Sequence, residues 1–348
     1  MKNTISTWFQ GLQDRICLSL EQLDTKEKFK EDKWERTTNS IAGNVAGGGG
    51  KTRILQNGAL LEKGGVAFSA VFGEINQNMQ SKLQMPQGDF FATGVSIVLH
   101  PHNPHVPIIH MNVRYFEIYD PKTQKTINQW FGGGIDLTPH YVNLEDAQFF
   151  HQQLKNTCDS YDNESYVKYK KWADDYFYIK HRQETRGIGG IFFDRLTPSS
   201  PNSLLNPKAE IMQAPKSPKG TLIQENLENQ EKKHTFEEIW AFVQNLGETF
   251  APTYAHIAQK NRDLPFTEQE KRWQMLRRSR YVEYNLIYDA GTKFGLESDG
   301  RVESILMSMP PQAQWAYDFK PEKDSEEEKT LNLLKKDIDF LVSSKVVK

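Results

Sequence analysis

Cysteine is scarce in this chain of 348 residues, and long apolar runs are missing. The two cysteines, Cys17 and Cys158, stand far apart without CxxC spacing, which argues against a disulfide framework or a structural zinc site. No apolar run approaches the ~18 residues of a membrane span. The first residues lack the basic end and apolar middle of a signal peptide. We therefore expect a cytoplasmic protein with reduced thiols and no membrane span.

An excess of one charge is also missing. Lys and Arg number 43 against 45 Asp and Glu, which gives a formal net charge of −2. A protein that binds nucleic acid through its phosphates would show a basic excess in one region, so we predict no nucleic-acid partner. Small anionic ligands stay possible, because they need only a local Arg or Lys.

A complete phosphate-binding loop is missing as well, although residues 47–52 read GGGGKT. Val45 stands where the pattern needs Gly or Ala, no buried strand precedes the run, and a hairpin turn follows in place of a helix. We predict no nucleotide site here. The glycines are expected to form a flexible loop.

Strand patterns dominate residues 52–136, and helices follow. β-branched and aromatic runs alternate with Gly, Pro and Asn, and no helical crossover separates them, which predicts an antiparallel sheet. Helices are predicted at 143–159 and 164–182, and Thr-x-x-Glu capping boxes begin two more at Thr235 and Thr267. A second hairpin is predicted from strands at 280–289 and 301–310.

The chain reads as one domain with two appendages. Residues 1–320 are predicted to form a single domain. Residues 198–234 have almost no aromatic residues and no clear period, so we interpret them as a surface insertion. Residues 321–348 are predicted to be a charged C-terminal tail that ends in a helix.

Residues 94–116, GVSIVLHPHNPHVPIIHMNVRYF, contain four of the nine histidines. Prolines make the middle an irregular loop, so His102 and His105 are expected to face solvent. His100 ends one strand, on the face that also carries Ser96. His110 begins the next strand, together with Asn112 and Arg114. The list of expected face residues is therefore Ser96, His100, His110, Asn112 and Arg114.

This polar face is typical of a carboxylate site. An arginine beside neutral donors can bind a carboxylate through two parallel hydrogen bonds. The alternative is an exposed strand face whose arginine pairs with a nearby glutamate. Asp136 follows three glycines and is either a turn cap or a base beside a ligand. His151 and His181 lie on apolar helix faces, as core histidines do, and Arg182 and Arg186 are further candidates for holding an anion.

At these residues the sequence resembles the oxygen-dependent coproporphyrinogen III oxidases of haem biosynthesis. The resemblance covers nearly the whole chain in family order. The segments that carry it are RILQNGALLEKGGVAFS (53–69), residues 94–117, WFGGGIDLTPHY (130–141), KHRQETRGIGGIFFD (180–194) and residues 281–311. Ala67, Arg195 and Asp299 depart from the family pattern.

The resemblance implies an α+β fold with a large flat antiparallel β-sheet flanked by helices on both sides. It implies oxidative decarboxylation of two propionates of coproporphyrinogen III to vinyl groups, giving protoporphyrinogen IX, CO2 and H2O2. Molecular oxygen is the co-substrate, and no organic cofactor is needed. A homodimer is implied, with dimerisation through Tyr281 to Trp315.

The resemblance also implies roles for single residues. His110 is the proton donor, Asp136 engages the pyrrole nitrogens, and Arg114 completes the catalytic set. Substrate contacts are implied for Ser96, Asn112, Val113, Arg114, Asp299, Gly300 and Arg301. A divalent metal is implied less consistently, with His100, His110, His151 and His181 as its ligands. Two rival interpretations are a metal-dependent enzyme built on these histidines and a non-catalytic tetrapyrrole-binding protein.

Overall fold

The computed structural model describes residues 1–36, 46–75, 80, 86–198, 234–297 and 300–342. The predicted insertion at 198–234 lies outside these residues except for its two ends, and so does Asp299. The insertion therefore stays a prediction.

One antiparallel sheet forms the centre of the fold. The strands are Lys30–Glu35 (β1), Ala46–Gln56 (β2), Leu61–Glu74 (β3), Asp89–Pro101 (β4), Ile108–Tyr119 (β5), Thr126–Thr138 (β6), Tyr178–Ile179 (β7), Glu184–Thr185 (β8) and Gly190–Leu196 (β9). The large sheet has the order β1-β2-β3-β4-β5-β6-β9, and each neighbouring pair is antiparallel. β7 and β8 form a separate short hairpin. The predicted antiparallel sheet is confirmed.

Helices lie on both faces of this sheet. They are Lys2–Asp24 (α1), Leu144–Asp159 (α2), Ser165–Tyr176 (α3), Phe236–Asn261 (α4), Glu268–Ile287 (α5), Ala290–Glu297 (α6), Val302–Ile305 (α7) and Glu326–Leu333 (α8), with a 3-10 turn at Leu306–Ser308. On one face α1, α2 and α4 bury alternate strand residues such as Val95 and Ile97. On the other face Tyr281 of α5 packs against Val98 and Ile108 at one end of the sheet. The predicted α+β class is confirmed.

The hairpin between β2 and β3 is fixed by the end of α1. Asn57 has a positive φ of 60°, as expected for the Asn-Gly dipeptide. Asp24 accepts the backbone N–H groups of residues 59, 60 and 61 beneath the turn. A Cβ on Gly58 would lie 2.2 Å from an oxygen of this carboxylate, so the turn requires glycine there. The run GGGGKT belongs to β2 and pairs with β3, so the predicted flexible loop is wrong.

The helix starts agree with their caps. Asn143 accepts the amides of residues 145 and 146, and both Thr-x-x-Glu boxes form as predicted, at Thr235 with Glu238 and at Thr267 with Glu270. The helix that was predicted to reach residue 182 ends at Tyr176, because a tight turn leads directly into β7.

The predicted hairpin at 280–310 is wrong. Residues 280–287 continue α5, and α6, α7 and a 3-10 turn follow. The aromatic residues that suggested a strand instead line one side of a helix: Tyr281 and Tyr284 are fully buried, three residues apart. Burial of these rings favours the helix at residues 280–287, although their local propensity favours a strand.

The tail beyond residue 320 contributes to the main core. Leu334 and Phe340 belong to the same apolar cluster as α1 and the central strands. The division of the chain at residue 320 stays a prediction. Within the described residues, we find no helix with the length and apolarity needed to cross a membrane.

Candidate active site

Two central strands carry the polar face that the sequence predicts. Ser96 on β4 lies directly opposite Asn112 on β5, and His110 and Arg114 flank Asn112 on the same face. All four side chains are half-buried, whereas their neighbours along each strand are buried in the core on the opposite face. The prediction of a shared polar face is confirmed for these four residues, whereas the fifth, His100, is fully buried against Tyr281 of α5.

Small residues extend this face into a shallow trough. Two adjacent rows that run from β3 to β6 define the trough: Ala67, Ser96, Asn112 and Gly134 in one, and Ser69, Gly94, Arg114 and Gly132 in the other. Neighbouring strands lie about 4.8 Å apart, so each row is about 14 Å long. Apart from Asn112 and Arg114 the two rows carry only Gly, Ala and Ser, and a floor of this width with so few large side chains suits a flat ligand.

Stacked aromatic rings bound the trough at the end away from α5. Phe116 stacks on Trp130 with ring centroids 4.5 Å apart, and Phe90 stacks on Phe116 at 5.5 Å. These rings lie on the same face as Ser96, because they occupy strand positions of the same parity. The trough therefore has an apolar wall at one end and charged groups towards the other.

His110, Asp136 and Arg186 form a hydrogen-bonded cluster at the charged end. Asp136 Oδ1 lies 2.8 Å from His110 Nδ1 and 2.6 Å from an Arg186 terminal nitrogen, and its Oδ2 accepts Arg186 Nε at 3.1 Å. Burial alone would raise the pKa of Asp136, but the Arg186 charge and the His110 bond outweigh it and hold the pKa below its ordinary value. The ionised carboxylate only accepts, so His110 Nδ1 carries the proton.

The exposure of the cluster differs between its members. Asp136 and Arg186 side chains are each 1% exposed, whereas the His110 side chain is 20% exposed. A ligand in the trough can therefore reach His110, whereas Asp136 lies behind that histidine and contacts it by a hydrogen bond. The implied contact between Asp136 and pyrrole nitrogens stays a prediction, since three N–H groups already donate to this carboxylate.

Arg186 lies in an aromatic box. Its guanidinium carbon lies 4.3 Å from the ring centre of Phe177, 4.9 Å from that of Tyr281 and 4.7 Å from that of Tyr284. Such cation–π contacts compensate part of the cost of burying a charge. The sequence proposed Arg186 as an anion-holding residue. In the structure Arg186 forms an ion pair with Asp136, a partner that sequence spacing did not indicate.

Arg114 lies in the trough with two acceptors. One terminal nitrogen donates to Asn112 Oδ1 at 2.8 Å, and the other donates to Asp194 Oδ1 on β9, also at 2.8 Å. The side chains of Arg114 and Asp194 are about one third exposed, at 36% and 32%. Arg114 therefore has further N–H groups that can donate hydrogen bonds to a bound carboxylate.

Arg301 lies beyond the opposite side of the trough, at the start of α7. It forms an ion pair with Asp32 on β1 and donates to Ser304, whose hydroxyl bonds Thr52 on β2. Three strand spacings, about 14 Å, separate β2 from the strand of Arg114. Gly300 precedes Arg301, and the implied contact residue Asp299 lies outside the described residues.

Val113 is placed differently from the other implied contacts. Its side chain is fully buried in the core on the far side of the sheet. It lies between Asn112 and Arg114 on β5, but its side chain does not face the trough.

The four histidines implied as metal ligands do not converge. His151 lies on α2 on the far face, where a tyrosine hydroxyl and a backbone carbonyl engage both ring nitrogens. His100 is buried at the end of β4, and its Nε2 lies 2.8 Å from a backbone carbonyl. His181 bonds a carboxylate of α5. Over the described parts of the chain, no group of three or more His, Cys, Asp or Glu side chains has an arrangement that could hold a metal ion. This donor set does not fit a metal.

The two loop histidines lie in the predicted loop, but the expectation that they face solvent is wrong. Both are partly buried, and His102 Nε2 lies 3.0 Å from the backbone carbonyl oxygen of Gly58. His102 and His105 lie between β4 and β5, and His105 faces Glu270 at 3.3 Å. Neither lies in the trough.

Comparison with protein families agrees with the geometry. The family model described as coproporphyrinogen III oxidase matches residues 4–340, which include the trough, both arginines and the buried cluster. The match covers far more than half of the chain. The chain therefore belongs to the coproporphyrinogen III oxidase family and is an oxidoreductase that oxidatively decarboxylates coproporphyrinogen III in haem biosynthesis.

Proposed function

We propose that this enzyme binds coproporphyrinogen III on the trough and uses molecular oxygen to convert two propionates to vinyl groups. The observation that carries this proposal is the pair of arginines, Arg114 and Arg301, on opposite sides of a wide floor of small residues. The tetrapyrrole carries four carboxylates, so two cations on opposite sides of a floor whose strands β2 and β5 lie about 14 Å apart suit it better than one compact anion site.

The chemistry balances with one oxygen molecule per ring. Each propionate gives up its carboxyl group as CO2 and one β-hydrogen, which is a two-electron oxidation to a vinyl group. Oxygen takes up both electrons and two protons and leaves as H2O2, so one proton is consumed from outside the substrate per ring. The electron-rich pyrrole is the group that reacts with oxygen, which is why we propose no organic cofactor.

His110 is proposed to supply that proton. It is the exposed member of the buried cluster, and Asp136 fixes its Nδ1 as the protonated nitrogen, which leaves Nε2 as the atom that exchanges a proton in the trough. Arg186 holds Asp136 ionised and in place.

The neutral groups orient one substrate carboxylate. Ser96 and Asn112 lie beside Arg114, so they supply hydrogen bonds that complete a bidentate arginine contact. Gly300 and Arg301, which directly precede α7, are proposed together with Asp299 to meet a second carboxylate.

The deciding assay compares the purified chain with coproporphyrinogen III in air, without oxygen, and in air with EDTA. We expect the dicarboxylic product in air and in EDTA, none without oxygen, and one H2O2 per vinyl group. Loss of activity in EDTA would favour a metal-dependent enzyme. Absence of product in air would leave only a tetrapyrrole-binding protein and overturn the proposal.

A homodimer through residues 281–315 is part of the proposal. Large exposed apolar side chains cluster in and beside this segment, with Leu286 47%, Ile287 48% and Val302 51% exposed. Light scattering during gel filtration tests it: we expect twice the mass of one chain, and a monomer for Leu286→Asp combined with Val302→Asp. A monomeric wild-type chain would refute it.

A cytoplasmic location is proposed on the basis of the two thiols. Cys17 and Cys158 are free and buried, and burial raises the pKa of each to about 12. Cell fractionation tests this location.

A further inference from the structure

Asp194 meets Arg114 from a different strand, across the backbone of β6. Asp194 lies on β9 and Arg114 on β5, and β6 runs between them. A Cβ on Gly132 of β6 would lie 2.5 Å from Asp194 Oδ1 and 2.8 Å from Arg114 Nε. The ion pair therefore crosses directly over Gly132, and only glycine leaves room for it.

This contact restricts the orientation of the guanidinium. Asn112 Oδ1 and Asp194 Oδ1 each accept a hydrogen bond from one terminal nitrogen of Arg114, and the guanidinium lies where a side chain on Gly132 would otherwise be. An arginine has five N–H groups in a rigid planar arrangement, so fixing two nitrogens fixes the direction of the rest. The remaining N–H groups meet a carboxylate in one geometry.

We propose that Asp194 is a positioning residue that sets the orientation in which Arg114 receives a substrate propionate. The inference rests on the proposed function, because it assigns a propionate to Arg114. Asp194 also partly neutralises Arg114, so the propionate binds the remaining N–H groups beside a retained carboxylate and does not meet an unopposed charge.

Asp194→Asn keeps the size of the side chain and removes its charge. We expect kcat for coproporphyrinogen III to fall at least tenfold while KM stays equal or decreases, because the arginine charge persists but its orientation is lost. Asp194→Glu restores the charge and is expected to recover part of kcat. Asp159→Asn is the matched control, since Asp159 also pairs with a cation, is equally exposed at 32%, and lies on α2 away from the trough; it should leave both constants unchanged.

A combined variant tests whether Asp194 acts through Arg114. Adding Asp194→Asn to Arg114→Ala should cause no further loss of kcat. An independent loss, a wild-type kcat in Asp194→Asn alone, or a raised KM with unchanged kcat would each overturn the proposal.

Binding of coproporphyrin III, the oxidised tetrapyrrole with the same four carboxylates, separates this inference from the proposed function. We expect Asp194→Asn to bind it at least as tightly as the wild type, measured by fluorescence quenching. Weaker binding would refute the role of Asp194. A wild type without turnover would refute the proposed function and leave this binding test valid.

Discussion

Replacing Asp136 by Asn removes the charge that compensates Arg186. Both side chains are 1% exposed, and their closest atoms lie 2.6 Å apart. Removing one partner of a buried ion pair costs about 3–5 kcal/mol, because the other charge stays buried. The aromatic box and Asn285, whose Oδ1 lies 3.4 Å from Arg186, offer only weak compensation. Since proteins are stable by about 5–15 kcal/mol, we expect Asp136→Asn to fold with a much lower free energy of unfolding.

A double-mutant cycle separates the ion pair from other effects. Arg186→Met places an uncharged, flexible side chain in the box. We expect the double variant to lose less stability than the two single variants added together, with a coupling of about 2 kcal/mol or more. Urea unfolding followed by tryptophan fluorescence measures each variant.

Activity gives the second measurement on the same variants. Asp136→Asn no longer fixes the protonated nitrogen of His110, so kcat is expected to fall about 10²-fold or more even where the variant is fully folded. Additive stability losses, or a folded Asp136→Asn variant with wild-type kcat, would refute this account of the cluster.

His110→Ala should lower kcat about 10²-fold or more, whereas the loop variant His105→Ala should stay near the wild-type value, and steady-state assays of both test the assignment. Burial lowers the pKa of His100 and of His151 to about 3. The folded chain then binds fewer protons than the unfolded chain between pH 6.5 and 3, so stability falls with decreasing pH, by about 2 kcal/mol per histidine between pH 8 and pH 5; equal urea midpoints at these pH values would contradict this. Gly58→Ala should cost about 1–3 kcal/mol of unfolding free energy, because its Cβ meets a fixed carboxylate, and an unchanged urea midpoint would show that the turn can relax.

The sequence predicted the parts of the site that are local. Ser96, His110, Asn112 and Arg114 lie on two strands joined by one short loop, so side-chain parity alone placed them on one face. The caps of α2, α4 and α5 were likewise set within four residues. These features depend on interactions between residues that are close in sequence, so the sequence pattern is enough to predict them.

The partners of the charged groups could not be predicted in this way. Arg186 is 50 residues from Asp136, and Asp194 is 80 residues from Arg114. Which carboxylate meets which arginine depends on strand order and on where α5 packs. The same packing explains the error at 280–287, where Tyr281 and Tyr284 suggested a strand but serve as helix residues around Arg186.

The floor of the trough has a consequence for the evolution and engineering of this enzyme. Glycine in a strand is destabilising by roughly 0.5–1 kcal/mol relative to alanine, so the three glycines in the two rows of the trough sum to about 1.5–3 kcal/mol. They are Gly94, Gly132 and Gly134. The stability that offsets this cost lies in the apolar layer under α1, α2 and α4. Substitutions that weaken packing in that layer therefore reduce the free energy of unfolding that offsets the cost of the glycines, although none of them touches the trough.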